Sequence, residues 1–261
     1  MTTTPYVPMP NSFRRNMQAR KTLIGCWASL ASNITTEILG YAGFDWVLID
    51  GEHAPNDWGT FISQLQALKD SRSAPVVRPQ SSEPVVIKRL LDIGFFNFLM
   101  PYIESAEQAR GVVAATRYPP QGMRGVGVSH RSVKYGYAPD YFARVNEEIC
   151  VAVQIESRKG VENVAAIASV EGVDALFIGP SDLSADYGLL GQVTHPEVAR
   201  AIERVVSAGK EAGKAVGILS NEKDASRYLA MGMTMVAVGG DVGLFRTATK
   251  ALAERFKTPG E

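Results

Sequence analysis

The sequence predicts an α/β fold, a TIM (β/α)8 barrel in a single domain, and three observations carry that prediction. Short apolar runs rich in β-branched residues alternate with longer amphipathic segments, as in βα units around a buried parallel sheet. Eight such runs are present, the number that closes a barrel. The 261-residue length is that of one undivided barrel.

The strand-like runs are, in order, LIGCWA from Leu23, DWVLID from Asp45, PVVR from Pro75, FNFLMP from Phe96, ICVAVQIE from Ile149, VDALFIG from Val173, KAVGIL from Lys214 and TMVAVGG from Thr234. Between and after them lie helical patterns: NITTEILGYAG, TFISQLQALKD, EPVVIKRLLDIG, SAEQARGVVAATR, GVENVAAIASVEG, HPEVARAIERVVSAGKEAG, NEKDASRYLAMG and FRTATKALAERF. Several end in glycine, the residue that best accepts the left-handed conformation just past a helix. The rhythm lapses over about residues 117–147, a Gly/Pro-rich stretch too long for a plain connector and expected to be a lid or an interface segment. A loose N-terminal arm is expected over about residues 1–12, and a frayed tail over about 257–261.

Lys+Arg and Asp+Glu both number 27, so no net field favours a polyanion or an anionic membrane, and the expected partners are small molecules. Cys26 and Cys150 each sit inside an apolar run, where cysteine acts as a small buried hydrophobe. With no C-x-x-C pair, no secretory signal and no apolar stretch long enough to span a bilayer, the expected setting is the cytoplasm.

In a barrel of this kind the chemistry sits at the C-terminal ends of the strands. The second run ends in Asp50, Gly51, Glu52 and His53, the third in Arg78 and the fifth in Gln154 and Glu156. The sixth runs through Gly179 and Pro180 into Ser181 and Asp182. Glu156 and Asp182, one strand apart, can give two oxygen ligands to a hard divalent cation and leave its other positions to water and a bidentate 2-oxo acid. Arg78 would then face the developing enolate oxygen, and His53 would be the general base for a hydroxyl proton. Plainer readings stand beside these: dipole-favoured carboxylates for Glu156 and Asp182, a capping role for Ser181, a buried salt bridge for Arg78, a structural role for His53. Asp92, on its residues alone, is a helix-end solvent carboxylate. His195 precedes Pro196 at a helix start, and His130 lies in the long loop.

A Schiff-base aldolase needs a lysine desolvated at a strand's C-terminal end, and none of the lysines lies there. Neither a P-loop nor a dinucleotide fingerprint is present, so no organic cofactor is expected. Gly239–Asp241 could hold an anion at a helix N-terminus. A catalytically silent barrel is the non-enzyme alternative; it predicts no metal-dependent turnover and no loss on mutating His53 or Arg78.

The segments FDWVLIDGEHAPND, PVVIKRLLDIGF, ATRYPPQGMRGVGVSHR, VQIESRKGVENV and EGVDALFIGPSDLSADYG resemble the 4-hydroxy-2-oxoheptanedioate aldolase family of class II pyruvate aldolases, over about Leu23 to Phe256. Within it, GCWASLASNITTEILGYAGFDW, the SHR triplet and Ser181 look most like members acting on 2-dehydro-3-deoxy-D-glucarate. The resemblance implies metal-dependent, reversible cleavage of that acid, or of its 5-dehydro-4-deoxy isomer, to pyruvate and tartronate semialdehyde. The same chemistry on 4-hydroxy-2-oxoheptanedioate or 2-keto-3-deoxy-L-rhamnonate is the alternative. It implies Glu156 and Asp182 as ligands of magnesium, with manganese or cobalt also acceptable. His53 is implied as acid/base and Arg78 as enolate stabiliser. Gln154, Ser181, Gly179 and Pro180 are set against the substrate, and Asp92 is implied to orient His53 as a dyad. A homohexamer with exchanged C-terminal helices is likewise implied.

Overall fold

A computed structural model of the chain describes residues 4–257. Its eight strands are β1 (Leu23–Ala28), β2 (Trp46–Asp50), β3 (Ala74–Arg78), β4 (Asn97–Met100), β5 (Cys150–Ile155), β6 (Ala175–Ile178), β7 (Ala215–Leu219) and β8 (Met235–Gly240). All pair in parallel in sequence order, and β8 closes on β1. Each overlaps the run expected for it, within two residues at its start.

The helices are α1 (Ser12–Gln18), α2 (Asn33–Tyr41), α3 (Trp58–Ala67), α4 (Pro84–Ile93), α5 (Ala106–Thr116), α6 (Tyr141–Glu148), α7 (Arg158–Glu162), α8 (Val164–Ala168), α9 (Pro180–Asp186), α10 (Pro196–Glu211), α11 (Ala225–Ala230) and α12 (Asp241–Phe256). The single helix expected over GVENVAAIASVEG is two, because Asn163 leaves helical geometry at φ −94°, ψ 4° and donates its side-chain amide to the Glu104 carbonyl at 2.8 Å. The stretch NEKD stays outside α11, since Asn221 Oδ1 accepts from the Lys223 and Asp224 backbone N–H groups in an Asx-type turn.

Strand alternation divides the apolar side chains into two cores. Val47, Ile49, Val77, Phe98, Val151 and Val153 pack outward against the helices; Trp27, Trp46, Leu48, Val76, Leu99, Phe177 and Met235 fill the barrel. Trp27, Trp46 and Phe177 form a ring trio at centroid separations of 5.8–6.4 Å. Gly25 makes room for it, since a Cβ there would lie 2.1 Å from the Trp46 ring. Phe13 and Met17 of α1 join the interior core, so the barrel is a packed core with no pore. Part of the expected loose arm is tied down: Asn11 is fully buried and bonds Asn97, Tyr6 and Glu148. Of the expected tail only Lys257 lies within the described residues.

The stretch from 117 to 147 holds a 3-10 turn (Arg131–Gly136) and most of α6. Its keystone is the buried Arg124, stacked 4.3 Å from the Tyr118 ring centroid and donating to Tyr141 Oη at 3.0 Å. No helix among the described residues is long and apolar enough to cross a membrane.

Candidate active site

Asp50 and Arg78 end adjacent strands and are register partners, so alternation turns both side chains the same way above the aromatic floor. Arg78 is gripped by three bonds: Nε to Asp50 Oδ1 at 2.9 Å, Nη2 to Asp50 Oδ2 at 2.7 Å, and Nη1 to Glu52 Oε2 at 3.0 Å. Its guanidinium carbon also stands 5.4 Å from the Trp27 ring centroid. Burial works against an ionised Asp50, yet the hydrogen bonds and charge of Arg78 hold its pKa below the ordinary value. Asp50 also accepts the backbone N–H of Glu52 and of His53, which fixes the turn that carries both. Glu52 lies 4.0 Å from His53 Nε2, and the His53 side chain is 65% exposed at the rim. The mouth of the barrel is thus built around an ordered cation.

On the other side, Glu156 is buried just past β5, with Oε1 accepting the Tyr102 backbone N–H at 2.8 Å and Oε2 accepting from Gln154 Nε2 at 2.7 Å. Gly179 lies opposite because a Cβ there would come within 2.2 Å of Glu156 Oε2. Burial, above all, raises the Glu156 pKa to about 7, opposed by the Tyr102 N–H and reinforced by the fields of Glu52 and Asp182. Pro180 is at N1 of α9, which brings Ser181 and Asp182 into its first turn, both exposed. The Asp182 side chain makes no hydrogen bond or ion pair among the described residues. Gln154 Oε1 is buried without a partner.

Four carboxylates, Asp50, Glu52, Glu156 and Asp182, therefore gather around one guanidinium. That excess of negative charge, with a carboxylate raised chiefly by burial, fits an added cation, and an all-oxygen donor pair fits a hard divalent one. Among the described residues no group of three or more His, Cys, Asp and Glu is placed to hold a metal ion. Cavities of about 680 and 550 Å3 open elsewhere, one beside α6 and one beside α1, and contain none of these residues.

The structure brings together His53, Arg78, Gln154, Glu156, Gly179, Pro180, Ser181 and Asp182. Asp92 is apart. Within the chain it bonds Arg124 Nη2 at 2.8 Å and stands 3.4 Å from His130 Nε2, and among the described residues of one chain it makes no hydrogen bond or ion pair with His53. Near the C-terminal end of α4, Asp92 thus meets the long loop through Arg124 and His130. Residue reading had set no task for Asp50 and Glu52; the signal was the Asp50–Arg78 register, a carboxylate and a guanidinium ending neighbouring strands on the same side. At Gly239–Asp241 the Asp241 carboxylate accepts the N–H of Val242 in the first turn of α12 and those of Ser29 and Leu30 after β1, at 2.8–3.1 Å.

Residues 23–248 match the family described as HpcH/HpaI aldolase/citrate lyase. Two relatives named 5-keto-4-deoxy-D-glucarate aldolase, from Enterobacter sp. (strain 638) and Citrobacter koseri, are 59% and 58% identical over 95% of this chain and 97% of theirs. A crystal structure of an HpcH/HpaI aldolase/citrate lyase family protein from Burkholderia cenocepacia J2315 superposes with a TM-score of 0.91 at 41% identity, over 95% of this chain and all of that one. With the barrel closed and the carboxylates and Arg78 at its C-terminal mouth, these likenesses have one reading: the chain belongs to the HpcH/HpaI aldolase/citrate lyase family.

Proposed function

We propose that this chain cleaves 5-keto-4-deoxy-D-glucarate, the acid in the names of its Enterobacter and Citrobacter relatives, to pyruvate and tartronate semialdehyde, and runs the reverse carboligation. The observation that carries the reading is the pairing of a buried, cation-demanding Glu156 with a rigidly held Arg78 at one barrel mouth. Glu156 and Asp182 would hold the divalent ion, magnesium in our reading, whose chemistry is to polarise the ketone of the 2-oxo acid. Arg78 faces the oxygen that becomes the enolate when the bond between deoxy and carbinol carbons breaks. His53 takes the carbinol proton and, open to solvent, passes it on. Gln154, Ser181 and the Gly179–Pro180 turn hold the pyruvate half, and the reaction belongs in the cytoplasm. Chelator-stripped protein is expected to release no pyruvate from 5-keto-4-deoxy-D-glucarate until magnesium or manganese is returned. Turnover that persists without metal would overturn class II chemistry.

The homohexamer with exchanged C-terminal helices is part of the same proposal. Asp241 is the sole buried residue of α12, while Leu244, Phe245, Leu252 and Phe256 are exposed. On α2, Ile34, Ile38 and Tyr41 are 62–69% exposed at helical spacing, a stripe suited to a neighbour's apolar helix. Sedimentation should find a hexamer that falls to smaller species when Phe245 and Leu252 are both replaced by Asp; a wild-type monomer would contradict the assembly.

A further inference from the structure

We propose that Tyr102 determines specificity for the aldehyde half of the substrate, its ring forming the wall against which the hydroxy-acid end is read. The proposal rests on the substrate reading above. Tyr102 stands two residues past β4, the strand between the one that ends in Arg78 and the one that leads to Glu156, so its loop overlooks both halves of the site. Its backbone is left-handed, at φ +55°, and that turn is what aims its N–H at Glu156 Oε1 across 2.8 Å.

The backbone task needs no side chain. Glycine takes a left-handed conformation without steric penalty, and an aromatic residue does so only where its surroundings impose it. Core packing does not account for the tyrosine either, because it is 50% exposed. What the ring does have is position. Its phenol brings an O–H donor to a rim that carries the carboxylates of Glu104, Glu156, Asp182 and Asp186. Beside it, Ser82, Glu83, Ile103, Gln108 and Met123 line a cavity of about 320 Å3. With the pyruvate end held at Glu156, Asp182 and Arg78, the hydroxy-acid end projects outward to this rim. A phenol O–H there gives a hydroxyl or carboxylate of the aldehyde half a donor that the surrounding carboxylates do not.

The test is carboligation of pyruvate, in the metal-loaded full-length enzyme, with tartronate semialdehyde against glycolaldehyde, which lacks the carboxylate. Tyr102→Ala and Tyr102→Gly are each expected to lower the tartronate semialdehyde to glycolaldehyde ratio of kcat/KM about tenfold, because donor and wall are lost for one aldehyde more than for the other. Both variants retain the N–H that meets Glu156, so KM for pyruvate is expected to stay within about twofold of wild type. Tyr102→Gly is expected to melt above Tyr102→Ala, since glycine relieves the left-handed strain. An active wild type whose ratio is unchanged in both variants overturns the role of Tyr102 alone. A pyruvate KM that rises in step with the lost ratio reassigns the residue to positioning Glu156. A wild type that joins pyruvate to neither aldehyde overturns the substrate reading and this inference with it.

Discussion

Arg78→Lys is expected to lower kcat/KM for pyruvate release by about 100- to 1000-fold while leaving the barrel folded, the range seen when one preorganised donor is removed from a developing oxyanion. Lysine is the informative replacement because Asp50 is 1% exposed. Deleting the cation altogether would strand a buried carboxylate at a cost of about 3–5 kcal/mol, and lost activity would then be mixed with unfolding. Lysine keeps the charge but has no planar fork. One ammonium cannot reproduce two bonds to Asp50 and a third to Glu52, so its position over the substrate oxygen is lost. The pair Asp50→Asn with Arg78→Met removes both charges together; it is expected to recover most of the stability lost in Arg78→Met, read from the urea midpoint, and none of the activity. Arg78→Lys within about threefold of wild type would mean that Arg78 holds the turn at Glu52 and His53 and does not meet the reacting oxygen.

The fold was legible because strand burial is nearly uniform. Runs such as WVLID and CVAVQI are buried at every position, which a two-sided parallel sheet requires and which β-branched residues serve. Helix breaks at Asn163 and Asn221 were hidden because each depends on a side-chain hydrogen bond that propensity does not foresee. The candidate site was legible at strand ends, where chain order maps onto place: His53, Arg78, Gln154, Glu156 and Asp182 need only the barrel rule to fall at one mouth. The partners of Asp92 within the chain were not, because a helix-borne side chain is aimed by helix rotation, and here Arg124, 32 residues further on, bonds it. Asp50 and Glu52 went without a role because a residue that acts through another shows itself only in distances. Tyr102 was invisible for a different reason: nothing in PYIES marks a left-handed tyrosine, and only its φ and its N–H to Glu156 expose it.

Glu156→Gln is expected to abolish metal-dependent turnover and yet to stabilise the metal-free protein at alkaline pH. The folded carboxyl keeps its proton up to about pH 7, whereas the unfolded chain releases it near the ordinary 4.5, because burial and the neighbouring carboxylates penalise the charge. Between those values the folded state binds more protons than the unfolded, so metal-free stability falls as pH rises through that window, and the full penalty is present above pH 7. Its size is on the order of 3 kcal/mol. Glutamine preserves the shape and can still accept the Tyr102 N–H but carries no charge, so its unfolding free energy should be nearly flat where the wild type declines. Metal reverses the account. A bound cation requires the ionised carboxylate, so affinity for manganese should weaken roughly tenfold from pH 8 to pH 6 in the wild type, with proton release on binding at the lower pH. Calorimetric titration in two buffers of different ionisation enthalpy reads both quantities. Manganese affinity that is unchanged over that range, or retained by Glu156→Gln, would place the ion elsewhere; a variant no more stable than wild type at pH 8 would mean that the Glu156 charge is already compensated within the protein.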